Sequence, residues 1–245
     1  MKTFLILSYV TTCIFAVDYC TISVCPPGKH IGCNNDGKLA STCPKDTKII
    51  QFTPTVIEAV VGTFNELRNQ IAGGKLPGFK AAARMATIQW DTELAKIASL
   101  NVYKCKLWHD ECRNTEKFPI AGQNGFGLVA PKTESIESTF VKAVKLWFGE
   151  YVNATMDHIY KGTYGDGVGH FIAMVNDQLV GLGCGSVMYA NVGYDGWNAG
   201  YFTCNFGNLK YLGLSIYKPS ANPGMDCKEK NPDYPNLCSL DEIFE

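Results

Sequence analysis

The chain has 245 residues, 46% of them hydrophobic and 18% charged, with a formal net charge of −1. That is enough apolar material for a packed core, and the charge balance excludes a nucleic-acid surface or a polybasic membrane anchor. Eleven cysteines are more than a reducing compartment keeps as idle thiols.

Met1-Lys2 and the uncharged run Thr3–Val17 (TFLILSYVTTCIFAV) form a positive start and an apolar stretch too short to span a bilayer. This pattern reads as a secretory signal peptide over residues 1–17. Its removal takes Cys13 with it and leaves ten cysteines, an even number that suits five bridges in an exported chain. No later stretch resembles a membrane span, so no integral membrane association is expected.

Residues 18–52 hold four of the cysteines in a Pro/Gly/Asn-rich segment, a composition that favours turns over a core. This predicts a disulfide-rich N-terminal strap. Its stretch from Cys33 to Cys43 displays the tight-turn sequence Asn35-Asp36-Gly37. A cell-surface or immunoglobulin interaction through these loops is one functional reading, although neither Arg-Gly-Asp nor Lys-Gly-Asp occurs.

The body, residues 53–219, opens with a helix. Thr53 suits the N-cap and Pro54 the first turn. Val56, Val60, Phe64, Leu67 and Ile71 make one apolar stripe, and Gly73-Gly74 ends it. A second helix starts at the cap Asp91, runs through Leu94 and Ile97, and reaches about Cys105. If it continued, Cys105 and His109 would share a face. A third has Thr133 as cap, Ser135–Tyr151 as body and the stripe Ile136, Phe140, Val144, Trp147, Tyr151. Glu150 lies at the border of that stripe. Leu179–Tyr189 and Gly200–Phe206 then read as strands, which Cys184 and Cys204 can join. Helices early and strands late indicate an α+β layered domain. Residues 220–245, with Cys227 and Cys238 among prolines and acids, predict a cross-linked C-terminal tail.

No HExxH, GxSxG, CxxC or phosphate-binding glycine loop occurs, and no catalytic residue is assigned. His109, His170 and Glu150 are residue types that hold zinc when a fold brings them together, but histidines 61 positions apart carry no spacing signal. Asn153-Ala154-Thr155 is an N-glycosylation acceptor.

Several runs carry a resemblance. GHFIAMVND (Gly169–Asp177) and YFTCNFGN (Tyr201–Asn208) are similar to the two signatures of the CAP superfamily, also called SCP/TAPS. WDTELAKIASLNVYKC (Trp90–Cys105), the run His109-Asp110-Glu111-Cys112-Arg113-Asn114-Thr115, and Gly122-Gln123-Asn124 agree. The strap resembles the antigen 5-like branch of insects, and the Cys227/Cys238 tail resembles its fly members. The resemblance implies a three-layer α-β-α sandwich whose cleft is lined by two histidines and two acids. By position these are His109, His170 and Glu150, but the second acid is replaced by Gln123. An amide cannot serve as a general base. Ile172-Ala173, Asn176 and Phe206 also depart from the usual signatures. The implied bridges are Cys20–Cys33, Cys25–Cys112, Cys43–Cys105, Cys184–Cys204 and Cys227–Cys238, each worth about 2–4 kcal/mol.

The resulting expectation is a secreted, monomeric, non-catalytic binding protein. Zinc is its one implied cofactor. Its partner is an extracellular protein or a small apolar ligand such as a fatty acid or eicosanoid, lined by Phe64, Leu67, Phe140, Val144 and Trp147. The alternative is a zinc-dependent hydrolase or protease using His109, His170 and Glu150.

Overall fold

The computed structural model describes residues 17–244 apart from 166, 192 and 211. The signal-peptide segment therefore lies outside the described residues, save Val17. The element order is β1 (Lys48–Ile49), α1 (Pro54–Ala72), β2 (Ala81–Ala82), β3 (Gln89–Trp90), α2 (Thr92–Val102), β4 (Ala121–Pro131), α3 (Ile136–Gly149), a 3-10 turn (Glu150–Asn153), α4 (Met156–Lys161), α5 (Gly169–Met174), β5 (Gly181–Ala190), β6 (Trp197–Gly207) and β7 (Pro219–Ser220).

The antiparallel hairpin β5–β6 is the centre of the main sheet. β4 pairs with the free edge of β6, and β1 and β3 both pair with the other edge of β5. The register Cys184↔Cys204 places those cysteines on one face with Leu182, Phe202 and Phe206. That face packs against α1, α3 and α5 and forms the main core. The opposite face is stripped to glycine so that α2 can approach. A Cβ on Gly183 would overlap the backbone nitrogen of Ala95. The result is a layered α-β-α domain, as expected.

The caps Thr53 and Asp91 are where the sequence placed them. Val56 N donates to Thr53 Oγ1 at 3.3 Å, and Leu94 N donates to Asp91 Oδ1 at 2.9 Å. Two helix ends are corrected. α2 stops at Val102, and Cys105 adopts a left-handed φ of 49°, so Cys105 and His109 share no helical face. α3 is capped by Ser135 rather than Thr133, because Ser135 Oγ accepts from Ser138 N at 3.1 Å. Its regular part ends at Gly149. The strand β4 has no counterpart among the elements expected from the sequence. Its glycines Gly122, Gly125 and Gly127 break any alternation, and pairing with β6 from Ala121↔Gly207 to Pro131↔Trp197 supplies the order instead.

The bridges are Cys20–Cys33, Cys25–Cys112, Cys43–Cys105, Cys184–Cys204 and Cys227–Cys238. Two of them tie the strap to the segment after α2. The last strap residues enter the sheet, where Ile50 N donates to Ser186 O at 3.0 Å. The tail is tied to the body too, with Cys238 N donating to Met85 O at 2.8 Å and Thr87 Oγ1 to Cys238 O at 2.6 Å. The Asn35-Asp36-Gly37 turn is anchored by separate bridges at Cys33 and Cys43. Its Asp36 carboxylate accepts from Lys38 N at 3.1 Å and pairs with Lys38 Nζ at 3.3 Å.

His30 locks the strap in place. It is 2% exposed and stacks on Tyr19 with ring centroids 4.4 Å apart. Its Nδ1 accepts from Gly32 N at 2.9 Å, so its Nε2 donates to Asn114 O at 3.0 Å. The neutral ring satisfies both partners, and a protonated one would point a second N–H at the Gly32 N–H. Burial accordingly holds its pKa below the ordinary 6.5. The stabilisation from the neutral ring is complete above pH 6.5 and is lost as pH falls through the lower folded value. Hydrogen-exchange protection factors of residues 19–33, corrected for the intrinsic rate at each pH, are expected to fall on acidification in this window. His30→Gln should flatten that pH dependence. Unchanged acid sensitivity in the variant would assign it to other groups.

Candidate functional site

Residues from five stretches of chain meet over the outer edge of β4. The cavity there, about 400 Å³, is lined by His109, Gln123, Asn124, Glu150, Tyr164 and His170, together with Gly122, Gly165, Gly167, Gly169, Ala173 and Leu209. The structure thus brings His109, His170, Glu150 and Gln123 into one cleft. β4 makes this possible because its successive residues point to opposite faces. Gln123 lies opposite Asn205 on the α2 side, and Asn124 lies opposite Cys204 on the other.

Each imidazole is oriented by a different partner. Glu150, where α3 gives way to the 3-10 turn, places Oε1 2.6 Å from His170 Nδ1. Its Oε2 accepts from His170 N at 2.8 Å and Phe171 N at 3.3 Å, so the carboxylate also covers the free amides at the start of α5. Trp147 stacks on His170 with centroids 5.9 Å apart and donates Nε1 to Gly125 O at 3.3 Å. Asn124 Nδ2 donates to His170 O at 3.2 Å.

His109 is exposed, and its Nδ1 lies 2.9 Å from Gln123 Oε1. The Gln123 orientation is fixed because its Nε2 donates to Asp110 Oδ2 at 2.8 Å and to Asn205 Oδ1 at 2.9 Å. Oε1 must then be the acceptor, and His109 Nδ1 the donor. The same follows for His170 against the Glu150 carboxylate. Both imidazoles are therefore assigned as Nδ1–H in their neutral form, leaving Nε2 as the nitrogen each can offer. Tyr164 also lines the cleft, and burial pushes its phenol up to about 12, so it stays protonated at neutral pH.

His109 and His170 line one cavity, and imidazole nitrogens are donors of the type zinc takes. Both oxygens of Glu150 are engaged with α5, so it orients His170 rather than supplying a third protein ligand. Among the described residues, the one close group of three ligand-type side chains is Cys227, Cys238 and Glu242, whose cysteines are bonded to each other.

The apolar stripe residues are elsewhere. Phe64, Phe140, Val144 and Trp147 are at most 1% exposed. Phe140 stacks on Phe202 at 4.4 Å and Trp147 on Phe202 at 5.2 Å, while Leu67 packs at the edge of the same cluster. These side chains pack against one another in the main core. A cavity of about 710 Å³ lies past the end of α1, bordered by Gly73, Gly74, Phe79, Lys80, Tyr160, Pro219 and Pro223.

Sequence reasoning did not assign roles to Asp110, Asn124, Tyr164 or Asn205. Three of these sat in quoted runs, directly after His109, after Gln123 and after Cys204. Their roles depend on cross-strand register, which no local pattern shows.

Fold, bridges and cleft together define a disulfide-bridged α-β-α sandwich. The model of the Cysteine-rich secretory protein family, CAP, matches residues 61–206, and the chain belongs to that family. It is 42% identical over 173 residues to Antigen 5 like allergen Cul n 1 of Culicoides nubeculosus, covering 69% of this chain and 78% of the relative. It is 33% identical to Venom allergen-1 of Aedes aegypti, covering 98% and 95%. These fly relatives place it in the antigen 5-like branch. Among solved structures it is similar to one described as NaASP2 with Zn2+, with TM-score 0.63 and 25% identity, covering 80% of this chain and 100% of that one. BmVAL-1 shares the fold at TM-score 0.59 and 22% identity, covering 80% and 97%. No helix among the described residues is long and apolar enough to cross a membrane.

Proposed function

We propose that the protein is an exported, non-catalytic binding protein whose cleft holds a zinc ion through Nε2 of His109 and His170. The observation that carries this is the shared Nδ1–H assignment: Gln123 and Glu150 each occupy Nδ1 and leave the ligand nitrogen free, the arrangement that orients histidines at metal sites. The similarity to a structure described with Zn2+ supports it. Two protein ligands leave zinc's other positions to water or a partner's group. Bound zinc would supply Lewis acidity. The chain's own groups argue against hydrolysis, because Gln123 cannot take a proton and both Glu150 oxygens are held by α5.

Isothermal titration with zinc tests this reading. His170→Ala is expected to lower affinity by at least about tenfold, since even outer-shell losses cost 10–100-fold. Equal affinity in the variant would place any zinc elsewhere.

A second reading concerns an amphiphile. The cavity beside Phe79 and Tyr160 has an apolar lining with Lys80 among its residues, which suits a short acidic lipid better than the filled stripe of α1 and α3. Native mass spectrometry of the secreted protein would read bound metal and lipid together.

A further inference from the structure

The sequon Asn153-Ala154-Thr155 closes the short turn that begins with Glu150. Glu150 holds His170; Asn153, three residues on, reaches the other wall of the same cleft. Its Nδ2 donates to Gly167 O at 3.2 Å, and Gly167 is one of the cleft-lining glycines. A Cβ built on Gly167 would lie 3.4 Å from that same nitrogen. Asn153 and Thr155 are both exposed, so the acceptor amide is open to solvent on one side and seated on the rim on the other.

We propose that Asn153 carries an N-linked glycan and that this glycan screens the His109/His170 cleft. A glycosylated amide keeps one hydrogen on Nδ2. It can hold Gly167 O with that hydrogen while the sugar leaves from the solvent side. The attachment point therefore sits at the mouth of the cleft. A hydrated oligosaccharide there leaves ions and small molecules free to enter and keeps macromolecules out. The screening role builds on the reading of the cleft as a metal site, whereas the placement of the glycan over the loop beginning at Gly162 does not.

The test compares the full chain, secreted from a glycosylating cell, with the same protein trimmed enzymatically to a single N-acetylglucosamine. Peptide mass reads occupancy at Asn153. Trypsin is the bulky probe, cutting after the exposed Lys161 at the start of the loop that leads to Gly167, with the exposed Lys38 in the strap as internal reference. Free zinc is the small probe. Expected are an occupied Asn153, cleavage after Lys161 accelerated by about tenfold on trimming as protease access opens, and no change at Lys38. Zinc affinity should differ between the two forms by less than about twofold. An unoccupied Asn153, or an occupied one whose trimming leaves Lys161 cleavage unchanged, overturns the proposal. If neither form binds zinc, the metal reading fails and the proteolysis result alone decides whether the glycan screens this face.

Discussion

Replacing Arg68 by methionine is expected to destabilise the fold by about 3–5 kcal/mol, the usual cost of removing one partner from a buried charged network. Arg68 sits on α1 and is fully buried. Its Nη1 donates to Met174 O at 2.7 Å and Asn176 O at 2.8 Å, and its Nη2 to Ala86 O at 2.8 Å and Leu179 O at 3.4 Å. One guanidinium thus satisfies carbonyls on both sides of the chain between α5 and β5, and one on the segment before β3. Burial pulls its pKa down to about 9, with the Asp177 charge acting the other way, so the group is still charged at neutral pH. Asp177 in turn pairs with Lys210 at 2.5 Å. Methionine keeps the packing volume but takes the guanidinium donors from four carbonyls, of which Asn176 O keeps the Leu179 amide at 3.3 Å. Lysine keeps the charge, but its compact ammonium cannot span both pairs of carbonyls. The expected order of melting temperature, bridges intact, is wild type, then Arg68→Lys, then Arg68→Met. A methionine variant that melts within a degree or two of wild type would show that these carbonyls find other partners.

The network also explains what was readable beforehand. The stripes of α1 and α3 were legible because an amphipathic helix repeats its apolar residues at helical spacing. Arg68 was not, since a basic residue beside Leu67 looks like an ordinary solvated charge until the carbonyls around it are known. The hairpin β5–β6 was visible in its apolar runs, while β4 was hidden by Gly122, Gly125 and Gly127 and gets its order from β6. That single strand carries Gln123 and Asn124 and forms the cleft floor. The cleft members were therefore named by resemblance, while their geometry came only with the register. The stripe residues Phe140 and Trp147 show the converse. Their spacing indicated burial, and the structure adds a second role for Trp147, which supports His170.

Gln123→Glu is the substitution that would bring back the usual pair of cleft acids, and it is expected to harm this protein. The Gln123 amide nitrogen faces two acceptors, Asp110 Oδ2 and Asn205 Oδ1. A carboxylate would set an oxygen against both. Asp110 is 4% exposed and already accepts from Asn101 Nδ2 at 2.7 Å and Arg113 Nε at 2.6 Å, so it cannot swing away without stranding them. Asn205 is fully buried, and its Nδ2 donates to Leu94 O at 3.3 Å. Flipping that amide would set its oxygen against the Leu94 carbonyl. The cost of the unmatched acceptors is about 1–3 kcal/mol of stability, and zinc affinity should not rise, because the donors that fix the partner of His109 have been lost. Asp110→Asn in the same chain removes the like charge facing the introduced carboxylate, at the expense of the bond that Asn101 Nδ2 makes to the same position, so the double variant should recover part of the loss, with a coupling of about 1–3 kcal/mol in a double-mutant cycle. Urea unfolding of the four proteins, with zinc titration of each, reads both effects. A Gln123→Glu protein as stable as wild type and tighter for zinc would mean that Asp110 and Asn205 rearrange freely, and that the amide of Gln123 is not matched to them.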